Sequence, residues 1–166
     1  IEAVSLISDL VPDVRFLVVG EGPQYKNLIK KVAELKVSDR VLFLGHREDI
    51  PEILSSLDVV IHPSYGNEGV PQTVLQAMAM EKPVVASDVG SIREVVIDGK
   101  TGFLIEPKNP SLIAEKALEL YKNPQMRTHF GKKGRKFIEE NYTLDRMIDK
   151  VEALYESLLK TKGHSC

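Results

Sequence analysis

The chain has 166 residues, 43% apolar and 28% charged, a composition that excludes the disordered, collagen-like and disulfide-scaffold classes. A chain of this size buries about 70% of the surface its unfolded form exposes, which is enough for one core and not for two. With 22 basic and 24 acidic residues the net charge is −2, so no global field draws the chain to nucleic acid or to an anionic membrane, and no nucleic-acid partner is expected.

In chain order, Ala3, Val4, Leu6, Ile7 and Leu10 recur at helical spacing with no capping Ser, Thr, Asp or Asn before them. The chain is therefore read as starting inside a helix, as a piece of a longer protein whose missing part includes at least a strand. Beyond Pro12, the run Val14 to Val19 is a strand that ends in the turn Gly20-Glu21-Gly22-Pro23. Residues 24–36 return to helical spacing, and Val41 to Leu44 form a second strand closed by Gly45-His46-Arg47. Asp49 is expected to cap a short helix through Leu57; Val59 to His62 is a strand, Pro71 to Met80 a helix, and Pro83 to Ala86 a strand. A short helix over Ile92 to Val96, a turn at Asp98-Gly99 and a strand over Gly102 to Ile105 precede two or three helices across 110–160. Strands that alternate with helices imply right-handed crossovers and a parallel sheet. The expected fold is α/β: a doubly wound parallel sheet with a helical C-terminal tail, whose last helix covers residues from about 140 to 166. The lone cysteine, Cys166, can neither build a disulfide framework nor join a cysteine metal cluster, which fits a reducing compartment. No apolar run approaches the ~18 residues that span a bilayer, and residues 1–15 lack a basic start and cleavage site. A cytoplasmic protein is the expectation.

Ligands of open parallel sheets bind outside the carboxyl ends of the strands. Four polar, glycine-bearing loops fall there: Gly20 to Pro23, Gly45 to Asp49, Pro63 to Pro71 and Ser87 to Ser91. Exposed amides at the following helix starts favour a phosphate-bearing ligand. Other chemistries are excluded by spacing. A dinucleotide fingerprint needs glycine where Tyr25 stands, and a phosphate-binding P-loop ending at Gly99-Lys100-Thr101 needs glycine where Glu94 stands. No Gly-x-Ser-x-Gly elbow exists, and His46, His62, His129 and His164 lack metal-site spacing, so no metal site is expected.

The stretch from Pro63 to Ser87 stands out. A loop delivers one carboxylate, Glu68, just ahead of a helix that starts near Pro71, where a missing N–H costs nothing. A carboxylate there can bind sugar hydroxyls while the helix start holds phosphate. It can equally cap the helix, since acids are favoured at helix starts, and both readings stand at this point.

Val18-Val19-Gly20-Glu21-Gly22-Pro23, Val41 to Gly45, Pro63 to Ser87, and Asp88 to Val96 followed by Asp98 to Leu104 together resemble, in order, the C-terminal domain of retaining glycosyltransferases built from two facing Rossmann-like domains, the GT-B fold, and in particular glycosyltransferase family 4. The resemblance implies one domain over 1–166 that binds a UDP-, GDP- or ADP-sugar without cofactor or metal. By similarity Glu68 contacts donor-sugar hydroxyls and steadies charge at the reacting carbon, as the catalytic residue. The donor would further be bound by Gly20, Gly22, Gly45, His46, Arg47, Gly69, Val70, Pro71, Gln72, Thr73 and Gln76, the base lying near Gly45 to Arg47 and the diphosphate near the amides of Gln72 and Thr73. Two positions depart from the family signature. Gln76 replaces its second glutamate, which usually binds the ribose, and Gly69-Val70-Pro71 replaces Gly-Phe-Gly, removing one N–H. The diphosphate-gripping Arg and Lys of the family, and its acceptor-binding domain, would precede Ile1. The implied activity is transfer of a hexosyl unit to a polysaccharide, a lipid-linked or a small glycoside acceptor by the full-length protein, with the isolated chain inactive. The alternative is a non-catalytic sugar-nucleotide or phosphate-binding module on the same scaffold.

Other features have ordinary readings beside functional ones. The basic run Lys132, Lys133, Arg135 and Lys136 is either a solvated helix face or a peripheral contact with the inner face of the membrane. Met78 and Met80 are read as packing. His62 either reaches the site or is structural, and Arg93 and Glu94 either line the cleft or pair at the surface.

Overall fold

The structure is a computed structural model, and it describes residues 1–66 and 69–162, with side chains through 160. Chain order is α1 (Glu2–Ser8), β1 (Phe16–Val19), α2 (Tyr25–Glu34), β2 (Val41–Gly45), α3 (Ile50–Ser56), β3 (Val60–His62), α4 (Gln72–Ala79) and β4 (Val84–Ser87). A 3-10 turn at Ile92–Glu94, β5 (Gly102–Ile105), α5 (Pro110–Lys122), α6 (Pro124–Asn141) and α7 (Leu144–Lys162) complete it. Each expected strand is present. The expected short helix over Ile92 to Val96 tightens to one 3-10 turn, and the tail resolves into three helices, the last beginning after the break at Tyr142 rather than near 140.

All strand pairs are parallel, and helices cover them, as expected for a doubly wound α/β fold. The strands fall into two groups, β2 beside β1 and β3 beside β4 beside β5, with no ladder joining β1 to β3. β4 is the spine: all four of its residues are buried, as a strand covered on both faces must be. Val85, Phe103 and Ile105 face α1, α5 and α6 through Ile7, Ala114 and Phe130. Val84 and Ala86 face α4 and the 3-10 turn through Val74, Met78 and Ile92. A third cluster of Val4, Val32, Val37 and Val41 seats α1 and α2 on the same face of the β1–β2 pair.

Local chemistry accounts for the helix ends. Asn109 and Asn123 accept from the amides of Leu112 and Met126 at 3.0 Å each and start α5 and α6. Asp49 holds the N-cap position of α3 and its carbonyl accepts from Ile53, but its carboxylate accepts nothing from the helix, contrary to expectation; Arg47 competes for that carboxylate. α6 meets the turn that follows α4 backbone to backbone, because a Cβ on Gly131 would collide with the carbonyl oxygen of Glu81. Tyr142 donates to the carbonyl of Glu94 at 3.0 Å and fastens the end of α6. Beyond it, every described residue of α7 whose side chain is placed is exposed, including Leu144, Ile148, Val151, Tyr155 and Leu158.

Candidate functional site

At the carboxyl ends of β1 and β2 two turns are locked together. The amide of Gly20 donates to the carbonyl of Gly45 at 2.8 Å, and the Glu21 carboxylate accepts from the His46 amide at 3.4 Å. Both glycines sit at positive φ, +113° and +65°, where a side chain would be strained, and the β1–β2 register slips where Val19 meets Gly45. Arg47 leaves this turn and forks onto Asp49 at 2.7 and 2.5 Å. The hydrogen bond to Arg47, more than charge alone, holds the Asp49 carboxyl below its ordinary range, and the reciprocal bond raises the guanidinium. Both groups are solvent-exposed, so the pair positions the loop more than it stabilises the fold.

Opposite, β3 ends at His62 and the chain returns as α4. Val74, Ala77 and Met78 are fully buried, which forces Thr73 and Gln76, three residues apart on the other face, out of the core. Pro71 is the N-cap in extended conformation (φ −71°, ψ 126°) instead of the first helical residue, and its carbonyl accepts from Val74 and Leu75. The amides of Gln72 and Thr73 thus begin the helix with no intrahelical acceptor.

A cleft of about 750 Å³ runs between the two strand groups. Its mouth is lined by Gly20, His46, Arg47, Thr73 and Gln76, so five expected site residues from three separate loops and helices meet there. Gly22, Gly45, Gly69, Val70, Pro71 and Gln72 flank the mouth in sequence without lining the cleft; Val70 packs against the core instead. Glu68, the expected catalytic residue, lies outside the described residues. Among the described residues no group of His, Cys, Asp and Glu is placed to hold a metal ion, and no helix is long and apolar enough to cross a membrane.

Arg93, the two methionines and the basic run take the following places. Arg93 pairs with Asp88 at 3.0 and 2.7 Å and is 66% exposed, a surface role. Met78 is core and Met80 packs beside it. Arg135 binds Glu139 at 2.8 Å and Lys136 lies 3.8 Å from Glu140, so the basic run is partly neutralised along its own helix. Glu21, which ties the two turns, and Tyr121 of α5, which lines the cleft, went unread in the sequence: a glutamate in a glycine turn and a tyrosine near a helix end carry no distinguishing spacing.

The family of glycosyl transferases group 1 matches residues 1–137. N-acetyl-alpha-D-glucosaminyl L-malate synthase of Bacillus anthracis is 30% identical over 148 residues, 89% of this chain and 39% of its own length. Anabaena HepE, solved in complex with UDP, superposes with a TM-score of 0.88 at 25% identity over 94% of this chain and 43% of that one. The C-terminal domain of a glycosyl transferase group 1 family protein, LpcC of Francisella tularensis, gives 0.78 at 28% identity over 86% of this chain and 77% of that one. The chain spans less than half the length of the curated relatives it matches. With these likenesses set on a doubly wound domain whose loops converge at one cleft mouth, the chain belongs to the glycosyl transferases group 1 family, of GT-B fold.

Proposed function

We propose that this chain is the donor-binding domain of a retaining, metal-independent glycosyltransferase of family 4, which moves a hexosyl unit from a nucleoside-diphosphate sugar to an acceptor held by another domain. The observation that carries this reading is the meeting of Gly20, His46, Arg47, Thr73 and Gln76 at the mouth of one cleft. The glycine turns let a base and ribose approach the backbone, Gln76 faces the ribose, and the free amides at the start of α4 take the diphosphate, whose charge the helix dipole favours. The same amides stabilise the nucleoside diphosphate as it departs, which is where charge develops in the transition state. Glu68, arriving just before that helix, holds the sugar hydroxyls and steadies the reacting carbon. HepE, solved with UDP and with UDP-glucose, supports a uridine nucleotide as the first ligand to try.

The test is calorimetry on the full-length protein with UDP, GDP and ADP and the matching glucose conjugates. One nucleoside diphosphate should bind, and Glu68→Ala should weaken its sugar conjugate about 10- to 100-fold more than the bare diphosphate, the value of one lost charge-assisted hydrogen bond. Equal losses for both ligands would make Glu68 a helix cap, and no binding by any of the three would remove the donor reading. A non-catalytic sugar-nucleotide module is the second reading, favoured by Gln76 and Pro71 where the family signature has Glu and Gly. Turnover by the full-length protein separates the two, and the isolated chain should transfer no sugar, because half a cleft orients one substrate.

A further inference from the structure

β3, β4 and β5 are parallel neighbours in that order, so the loops that leave β3 and β5 start about 10 Å apart with the end of β4 between them. One side chain closes that distance. The ammonium of Lys108, in the loop after β5, lies 5.5 Å from the centroid of the Tyr65 ring, in the loop after β3, within the range of a cation–π contact. The two loops differ in how firmly they are held. That of Lys108 has four residues, 106–109, and is pinned at both ends: the carbonyl of buried Ile105 accepts from the Asp88 amide at 2.8 Å, and Asn109 caps α5. That of Tyr65 has nine, 63–71, and Tyr65 is 69% exposed, so the core does not hold the ring. Glu68 follows it by three residues.

The backbone of Lys108 is a second, independent sign. Its φ is +61°, a left-handed conformation that is costly for a residue with a Cβ and natural to glycine. Among the described residues Lys36 and Glu81 share that region, but each directly follows the last residues of a helix, α2 and α4, where such a turn is the ordinary way to stop. Lys108 ends no helix. A strained lysine where glycine would be relaxed implies a task for the side chain, and the contact described for it is the Tyr65 ring. We propose that Lys108 is a positioning residue for the donor site: by gripping Tyr65 it fixes the long loop after β3 to the rigid turn after β5, and so sets where the segment that runs on to Glu68 and the start of α4 begins. This role rests on the donor reading above, in which that segment meets the sugar.

The test uses the full-length protein and three variants. Lys108→Gly removes the cation and suits the backbone, Tyr65→Leu removes the ring, and Tyr65→Phe keeps the ring face. Without ligand, the ε-methylene protons of Lys108 should be shifted upfield in the wild type and in Tyr65→Phe, and return to ordinary values in Tyr65→Leu. NMR order parameters of the Gly66 and Gly69 amides should fall in Lys108→Gly and Tyr65→Leu and hold in Tyr65→Phe. With the nucleoside diphosphate that binds, Lys108→Gly and Tyr65→Leu should each weaken the sugar conjugate about two- to fivefold and leave the bare diphosphate unchanged, the effect of one exposed cation–π contact. The double variant should lose no more than either alone. Chemical denaturation of Lys108→Gly should give the same midpoint or a higher one, whereas a lower midpoint would make Lys108 a structural residue and overturn the proposal. Unchanged glycine order, equal losses for both ligands, or losses that add in the double variant would each overturn it as well. Failure of every nucleotide to bind would remove the donor reading and this role with it, while intact binding with unchanged preference for the sugar conjugate would remove this role alone.

Discussion

Gln76 shows how much one position can be asked. Its place on α4 was legible in the sequence, since the apolar spacing of Val74, Ala77 and Met78 dictates which face turns outward, and the structure puts it at the cleft mouth. In the proposed donor site a carboxylate there would accept from both ribose hydroxyls with charge assistance. Gln76→Glu should therefore tighten nucleoside-diphosphate binding by roughly 1 kcal/mol, about fivefold, in titrations of the full-length protein. Unchanged affinity would mean the side chain does not touch the ribose, and weaker binding would mean that the pocket is adapted to a neutral group. Asp49 is the opposite lesson. An acid before an apolar helix reads as a cap, but Arg47 two residues earlier makes a bidentate pair that a single helix amide does not displace. Spacing along the chain registers the helix and not the competitor.

Among the elements, the strands were legible because each is a short apolar run bounded by Gly, Pro or Asp, and β4, buried on both faces, is the plainest. The packing of α6 on α4 was not. Gly131 and Gly134 look like weak points in a helix, whereas they are where α6 packs, Gly131 on the Glu81 carbonyl of the turn after α4 and Gly134 on the Met78 side chain. Glu81 itself sits at φ +57° in the turn that follows α4, so that carbonyl has little room to retreat. Gly131→Ala should cost on the order of 1–3 kcal/mol by overpacking, although alanine is the better helix former by about 1 kcal/mol, and chemical denaturation would show it as a lower midpoint. A neutral or stabilising result would mean that α6 moves freely on α4. Gly134→Ala, against a flexible methionine whose nearest atom is 3.5 Å away, should cost less.

On the scale of the whole molecule, alternation of strand and helix gave the doubly wound class, but not the order of strands or the gap between β1 and β3, because order depends on contacts between distant segments. The chemistry of the proposed donor site also acts at this scale: with amides and a helix dipole answering the diphosphate, chelator should leave turnover of the full-length enzyme unchanged, and loss restored by magnesium or manganese would refute that. One consequence concerns cooperativity. Among the described side chains none of α7 belongs to any of the three core clusters, and Tyr142, hydrogen-bonded to Glu94 and packed beside Phe137, is the last of them tied to those clusters. The cooperative unit of folding accordingly closes at Tyr142. A 19-residue helix whose described side chains are all exposed draws little stability from the core, so α7 should melt over a broad range below the main transition. Calorimetry of a chain ending at Thr143 should return the main transition at the same temperature, and a fall of several degrees would show that α7 is energetically part of the domain after all.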